Sequence, residues 1–231
     1  MKNIEYTKMA IFYDKFYAKK DYKKEVEFIR NFIPKKDSCI LDAGCGTGNH
    51  AKILNDLGYN IYGFDLSADM VKLANEKITE HFSVGNLLEF ESERKYDCII
   101  SFFAVFNHLK NYKEFSIALK NLKNCLNNSG RIILDLHNPQ KSGRKEDSIT
   151  EARRIMQWKK CIFTGREISK ITYYVGNKQY TTQHVFKIFQ ISKIKTIAKQ
   201  LGFSNVTFYE NYDVQSTATK KSKNIQVVFE I

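Results

Sequence analysis

No stretch of about 18 apolar residues occurs in the chain, so the sequence offers no membrane-spanning helix. The N-terminal run MKNIEYTKMAIFYDKFY lacks the apolar core of a signal peptide, and a cytoplasmic location is expected. Cysteine is scarce and odd in number. Cys39, Cys45, Cys98, Cys125 and Cys161 are never spaced C-x-x-C, and they read as small buried hydrophobes in a reduced compartment. They do not read as disulfides or zinc ligands, and no metal site is expected. There is no internal repeat. Acids are few beside bases, 25 against 37, for a net charge of +12. The excess concentrates in residues 151–200, where eleven Lys and Arg face only Glu151 and Glu167. Such a region favours an anionic partner: nucleic acid, acidic lipid or a phosphate-bearing small molecule. An ordinary solvated basic face accounts for the same excess. At 231 residues the chain suits one well-buried domain with an appendage.

What is present is organised around Cys39–Lys52, CILDAGCGTGNHAK. Ile40, Leu41 and Ala43 flank one acid, Asp42, and three glycines follow at alternate positions, Gly44, Gly46 and Gly48. This predicts a buried strand breaking into a turn that opens a helix, with bare backbone able to lie against a ligand. A dinucleotide fingerprint would need glycine where Asn49 stands, and a phosphate loop would need G-K-[ST] where the chain has Gly48-Asn49-His50. The ligand is therefore nucleoside-like without a pyrophosphate held at the helix N-terminus. A second strand, Tyr59–Phe64, ends in Asp65, about 20 residues after the turn, where a doubly wound fold places the carboxylate that grips a ribose diol.

Further along, strands are expected at about 81–84, at Tyr96–Ser101, at Arg131–Leu136, and in closing at about 205–209 and 224–231. A helix over 4–18 is expected from the stripe Tyr6, Met9, Ala10, Tyr13, Phe16 and Tyr17, and another over about 21–33 that Pro34 closes. Ser67 caps a helix with Met70, Val71, Ala74 and Ile78 on its buried side. Between 140 and 190 the alternation stops, and Gln157–Thr164, Glu167–Val175 and Gln179–Phe189 read as antiparallel strands with a hairpin at Gly176-Asn177. Residues 210–223 read as a polar loop. Ligands of open α/β sheets bind outside the carboxyl ends of the strands, so residues 101–108 and His137-Asn138-Pro139 should meet the substrate.

The D-x-G-x-G-x-G run resembles the first motif of class I S-adenosylmethionine (SAM) dependent methyltransferases, and YGFDLSADMVKLA resembles the second. The resemblance implies an α/β, doubly wound, seven-stranded Rossmann-like sheet with SAM as cofactor. It implies cofactor contacts from Asp42, Gly44, Cys45, Gly46, Gly48, Asp65, Leu66, Met70, Asn86, Leu87 and Phe102. Relatives carry Asp where this chain has Asn86, whose amide oxygen can still accept from an adenine amino group. The string YDKFYAKKDYKKEVEFI resembles the N-terminal cap of small-molecule methyltransferases acting on nucleotide-linked amino sugars. That likeness puts Tyr13, Tyr17 and Tyr22 over the acceptor. The domain expectation is a helical cap over 1–36, a SAM-binding core over 37–139 and 190–231, and a β flap over 140–189, its basic side facing the acceptor's phosphates.

Methyl transfer needs alignment, and a base for a hydroxyl acceptor. His108 and His137 lead as catalytic candidates on position, followed by Tyr13; His137 and His184 are expected near the substrate. The N/D-P-P-Y/F string of amino-methylating nucleic-acid enzymes is replaced by SFFAVF. The Pro-Cys nucleophile of cytosine-C5 enzymes is missing, since Pro34 and Pro139 are not followed by Cys. Three readings stay open: a methyltransferase for N or O of a small, likewise anionic acceptor such as a nucleotide-activated sugar; a nucleic-acid methyltransferase, favoured by charge alone; and a SAM-binding protein without transfer. The flap could also pair across a homodimer.

Overall fold

The computed structural model describes residues 12–161 and 163–231. Tyr6, Met9 and Ala10 of the expected stripe lie outside the described residues; helical backbone covers 12–16. Helix α1 (Tyr22–Arg30) starts at Asp21, whose carboxylate accepts from Lys24 N–H at 3.0 Å. The core runs β1 (Cys39–Ala43), α2 (Asn49–Asp56), β2 (Asn60–Asp65), α3 (Ala68–Lys77), β3 (Phe82–Val84), β4 (Tyr96–Ser101), a 3₁₀ turn (Val105–His108), α4 (Tyr112–Asn124) and β5 (Leu126–His137). Four antiparallel strands follow, β6 (Gly143–Ile149), β7 (Ala152–Cys161), β8 (Arg166–Val175) and β9 (Lys178–Lys187). Then come α5 (Ile191–Gln200), β10 (Asn205–Glu210), β11 (Asp213–Thr217) and β12 (Asn224–Glu230).

The main sheet has the order β11-β10-β12-β5-β4-β1-β2-β3. Strands β1 to β5 are parallel, and β12 and β10 close the sheet antiparallel. Strand β1 lies between β2 and β4, so the strand order reverses there and opens a crevice at the strand ends. Successive side chains of a strand point to opposite faces, and both faces are covered. Leu41, Ile99, Ile132 and Phe229 pack with α4 and α5, whereas Ile40, Ile100, Ile133 and Val228 pack with α1, α2 and α3. The result is the three-layer α/β sandwich expected from the strand and helix order.

Three elements differ from the sequence reading. The sheet has an eighth strand, β11, within the stretch read as a loop. Asn211 and Tyr212 both adopt φ of +57°, giving the two-residue reversal that returns the chain as an edge strand. The smaller sheet has four strands where three were expected, because β6, GRKEDSI, is almost wholly polar and gives no alternation signal. Strand β5 also begins earlier, at Leu126, with residues 127–130 forming a bulge against β4 where a turn was expected.

Candidate active site

The glycine turn after β1 is built as its spacing requires. Gly44, Gly46 and Gly48 have φ of +82°, +54° and +77°, where a side chain is strained. Gly44 is also closely packed, since a Cβ there would lie 2.7 Å from Val105. A Cβ on Gly46 would meet nothing within 4 Å, so the middle of the turn is an open cradle. Gly46 N–H donates to Asp65 Oδ2 at 2.9 Å, and Ser67 N–H donates to Asp65 Oδ1 at 2.9 Å. The acid ending β2 is thereby fixed to the turn, with acceptor capacity left for a diol hydroxyl.

Asp42, on β1, is 2% exposed, and its Oδ2 has no hydrogen-bond partner among the described residues. Burial pushes its carboxyl from the ordinary 3.8 to about 7; nearby His50 opposes the shift and Asp65 adds to it. A buried carboxylate oxygen beside an open glycine cradle fits a ligand bearing cationic groups. Cys45 is buried, Leu66 is 74% exposed on the rim, and Met70 lines the neighbouring cavity. Asn86 Oδ1 accepts from Leu88 N–H at 3.1 Å, which holds the side chain in a local turn. Leu87 is half-buried against the core. Phe102 is 2% exposed and sits between the rings of His50 (5.4 Å) and Tyr212 (6.1 Å), behind the crevice. Its neighbour Phe103 is the ring that lines the cavity.

That cavity, about 900 Å³, lies between the crevice, the N-terminal segment and the inner face of the smaller sheet. Tyr13 and Tyr17 wall it with Phe103, the three rings meeting at 4.7–6.0 Å between centroids. Burial raises the Tyr13 phenol well above its ordinary value and raises Tyr17 too, so both stay protonated donors. Tyr22 stands outside the cavity lining. It packs edge-on to His50 at 5.0 Å and accepts from Asn49 Nδ2 at 3.2 Å, anchoring α1 to α2. Asp14 fastens the same segment to the glycine turn, accepting from Thr47 Oγ1 (2.5 Å), Asn49 Nδ2 (2.9 Å) and Lys77 Nζ (2.7 Å).

His108, His137 and His184 converge on this cavity from the 3₁₀ turn, the end of β5, and β9. Water reaches His108 from the cavity, yet burial lowers its pKa to about 4, with His184 adding to the effect; burial also lowers His184. His137 Nε2 lies 3.2 Å from Oε2 of Glu167, a carboxylate 2% exposed. That pairing assigns the proton to Nε2 and leaves the Nδ1 lone pair free to accept.

Sequence spacing missed several residues that shape the site. Asn107 is fully buried; its Nδ2 donates to the carbonyls of His137 (3.0 Å) and Lys187 (2.7 Å), and its Oδ1 accepts from His137 N–H (2.8 Å). Phe103 and Ala104 adopt φ of +71° and +61°, strain of about 1–3 kcal/mol each in non-glycine residues. Asp135 holds that turn, its Oδ1 accepting from Ala104 N–H at 2.6 Å and its Oδ2 from Tyr212 O–H at 2.9 Å. An acid inside the apolar run of β5, and Asn211 at the β10–β11 reversal, were the available signals.

Most of the flap's cations are turned away from the cavity, where the sequence expectation had them facing inward; Arg154, over the Tyr17 ring, and Lys160, donating to the Pro139 carbonyl, are on the inner face. Strand alternation turns Arg144, Arg153, Lys159, Arg166 and Lys170 outward, opposite to Met156, Trp158, Glu167 and Ser169 on the cavity side. Among the described residues the flap gives the lining one cation, Lys145, which stands 3.9 Å from Asp147.

A family profile described as a methyltransferase domain matches residues 13–207. The chain belongs to this methyltransferase family. An uncharacterized protein of Methanocaldococcus jannaschii is 39% identical over 135 residues, covering 56% of this chain and 46% of that protein. An uncharacterized methyltransferase of Bacillus thuringiensis is 33% identical over 129 residues, covering 52% of this chain and 60% of the relative. The matched region thus spans about half the length of these curated relatives. Among solved structures, a SAM-dependent methyltransferase from Clostridium acetobutylicum superposes with a TM-score of 0.84 at 21% identity, covering 98% of each chain. An amino pentose methyltransferase from Micromonospora echinaspora, solved with SAM bound, gives 0.72 at 16% identity, covering 91% of this methyltransferase and 90% of its own chain. These likenesses show the fold.

Proposed function

We propose that this methyltransferase acts on a nitrogen or oxygen of a small, sugar-sized molecule, a nucleotide-activated sugar being the acceptor that the cap motif and the amino pentose neighbour suggest. S-adenosylmethionine is its cofactor. The residues that would hold it are Asp42, Gly44, Cys45, Gly46 and Gly48 of the turn, with Asp65, Leu66, Met70 and Asn86 from the adjoining strand ends. Bound there, it supplies an electrophilic methyl group. The observation that carries the reading is the pairing of an open glycine cradle, flanked by Asp42 and Asp65, with a walled cavity next to it.

The chain's own work is alignment, exclusion of water and movement of one proton. In this reading the described part of the expected cap over 1–36, residues 12–36, and the flap over 140–189 cover the core of 37–139 and 190–231, leaving an enclosure for a small acceptor. Tyr13 and Tyr17 orient that acceptor from above. His137, held by Glu167, takes the proton at Nδ1, while His108 and His184 stay neutral and act as walls.

Asp65→Ala tests the assignment by calorimetry with SAM. Two charge-assisted bonds worth about 1.5–3 kcal/mol each are at stake, so at least tenfold of affinity should go while the fold persists. Unchanged affinity would remove the cofactor site. With acceptor in hand, His137→Ala should lower kcat far more than His108→Ala.

A further inference from the structure

We propose that the outer face of the flap, at the end where β7 turns into β8, docks on the surface of an anionic lipid bilayer. This face lies opposite the cavity, and the proposal does not depend on what the cavity holds.

Strand register sets the arrangement. Lys159 on β7 pairs with Ile168 on β8, and Ile168 pairs with Val185 on β9, so the three stand in one row across the sheet. Arg166 and Lys187 form the row nearer the turn, and Lys170 stands in the row beyond, between Gln157 and Gln183. Members of a row share a face, and the alternate residues Glu167 and Ser169 line the cavity, so these rows point away from it. Among the described residues the three rows carry no acid. Ile168 and Val185 are exposed among the cations.

Phe163, in the turn itself, is fully exposed. The turn that carries it is pinned from β9: the Thr164 carbonyl accepts from Lys187 Nζ at 3.0 Å, and the Gly165 carbonyl accepts from Ile188 N–H at 2.9 Å. Gly165 supplies the left-handed residue, with φ of +59°. An aromatic ring is thus presented at the tip of the hairpin, beside an aliphatic pair set in a cationic rim.

Charge and shape together select the occupant. A second copy of this face would set Lys159, Arg166 and Lys170 against the same cations, with no acid in these rows to offset them. A single-stranded nucleic acid is held by ring platforms along a basic groove, and the aliphatic Ile168 and Val185 give bases nothing to stack on. A protein partner would need a pocket shaped for Phe163. A bilayer with acidic headgroups meets both features without one: its surface charge attracts the lysines and arginines, and its apolar boundary receives the ring.

The test uses the full chain and vesicles of phosphatidylcholine and phosphatidylserine in equal parts, sedimented at physiological salt. Association should be at least tenfold stronger than with phosphatidylcholine alone. Phe163→Ser and, separately, the double substitution Lys159→Gln with Lys170→Gln should each weaken it at least fivefold. Both variants should keep the native melting temperature and S-adenosylhomocysteine affinity, since the positions are exposed and outside the cavity. Lys52→Gln, on α2, should change nothing. Phe163→Trp should shift its emission to shorter wavelength on the mixed vesicles, whereas native Trp158, on the cavity side, should not respond. Equal association with both vesicles, or none, would overturn the proposal. Binding that ignores Phe163→Ser would reduce it to counterion attraction and overturn the docking geometry. Tighter binding to polyuridylate than to the vesicles at the same salt would assign the face to nucleic acid. A dimer in light scattering that the lysine substitutions disperse would assign it to a second copy. Either assignment would replace the membrane.

Discussion

Asp42 is buried, lacks a partner on one oxygen and has its carboxyl pushed up to about 7, so in the proposed site cofactor binding and folding stability would depend on the same group. Its pKa is about 7 in the folded chain against 3.8 ordinarily. Across that window the folded form holds a proton that the unfolded form has lost, so this group's contribution to stability falls as pH rises through it. Asp42→Asn should therefore raise the melting temperature of the ligand-free protein at pH 8 more than at pH 5. The same substitution should weaken SAM binding most at pH 8, where the ionised acid meets a cofactor bearing cationic groups. A melting temperature that responds equally at both pH values would contradict the shifted carboxyl. Gly46 offers a complementary test. Nothing crowds a Cβ there, so Gly46→Ala should cost only about 1 kcal/mol of backbone strain in denaturant unfolding. It should cost SAM more than that, because the methyl group enters the cradle.

Of the groups that join the smaller sheet to the core, Asn107 is the most exacting. It joins the 3₁₀ turn, the end of β5 and the end of β9 by three hydrogen bonds from one buried side chain. Asn107→Leu would leave two carbonyls and an N–H without that partner, and about 2–4 kcal/mol should be lost in urea unfolding. Because His137 and β9 would separate, kcat should fall together with stability; full activity in a destabilised variant would show that the clamp does not align the site. The Asp14 network joins the opposite wall to the glycine turn in the same manner. Asp14→Ala should make the N-terminal segment more susceptible to limited proteolysis while α2 and α3 stay protected.

The chain's charge is +12, and on the flap most of the cations lie on the face away from the cavity. A basic outer face collects polyanions through counterion release, and such binding decays steeply with salt, by about 10³ or more between 50 and 200 mM for a protein making six or more phosphate contacts. RNA retained on filters at 50 mM salt should thus be released by 200 mM, with no change in SAM affinity. Tight RNA binding that persists at physiological salt would favour the nucleic-acid reading over the small-molecule one. The Clostridium acetobutylicum neighbour covers the flap as well as the core, so the outer sheet is part of the shared fold.

The crook, the acid ending β2 and the order of the core strands were legible in the sequence because each is a local property. Alternate glycines require positive φ within a few residues, and a buried parallel strand writes itself as an apolar run. Strand β6 was not legible because its residues are polar, and β11 because its signal was two left-handed residues, Asn211 and Tyr212, inside a polar stretch. The site's partnerships were decided only by tertiary structure. His137 meets Glu167 30 positions away, Tyr212 meets Asp135 77 positions away, and Asn107 meets Lys187 80 positions away. No spacing rule reaches so far. Which face of the flap carries most of its cations depends on how that sheet is set against the core, and composition alone pointed most of them at the wrong side. A strand's period of two fixes that opposite faces differ, while packing alone selects the face that is turned inward.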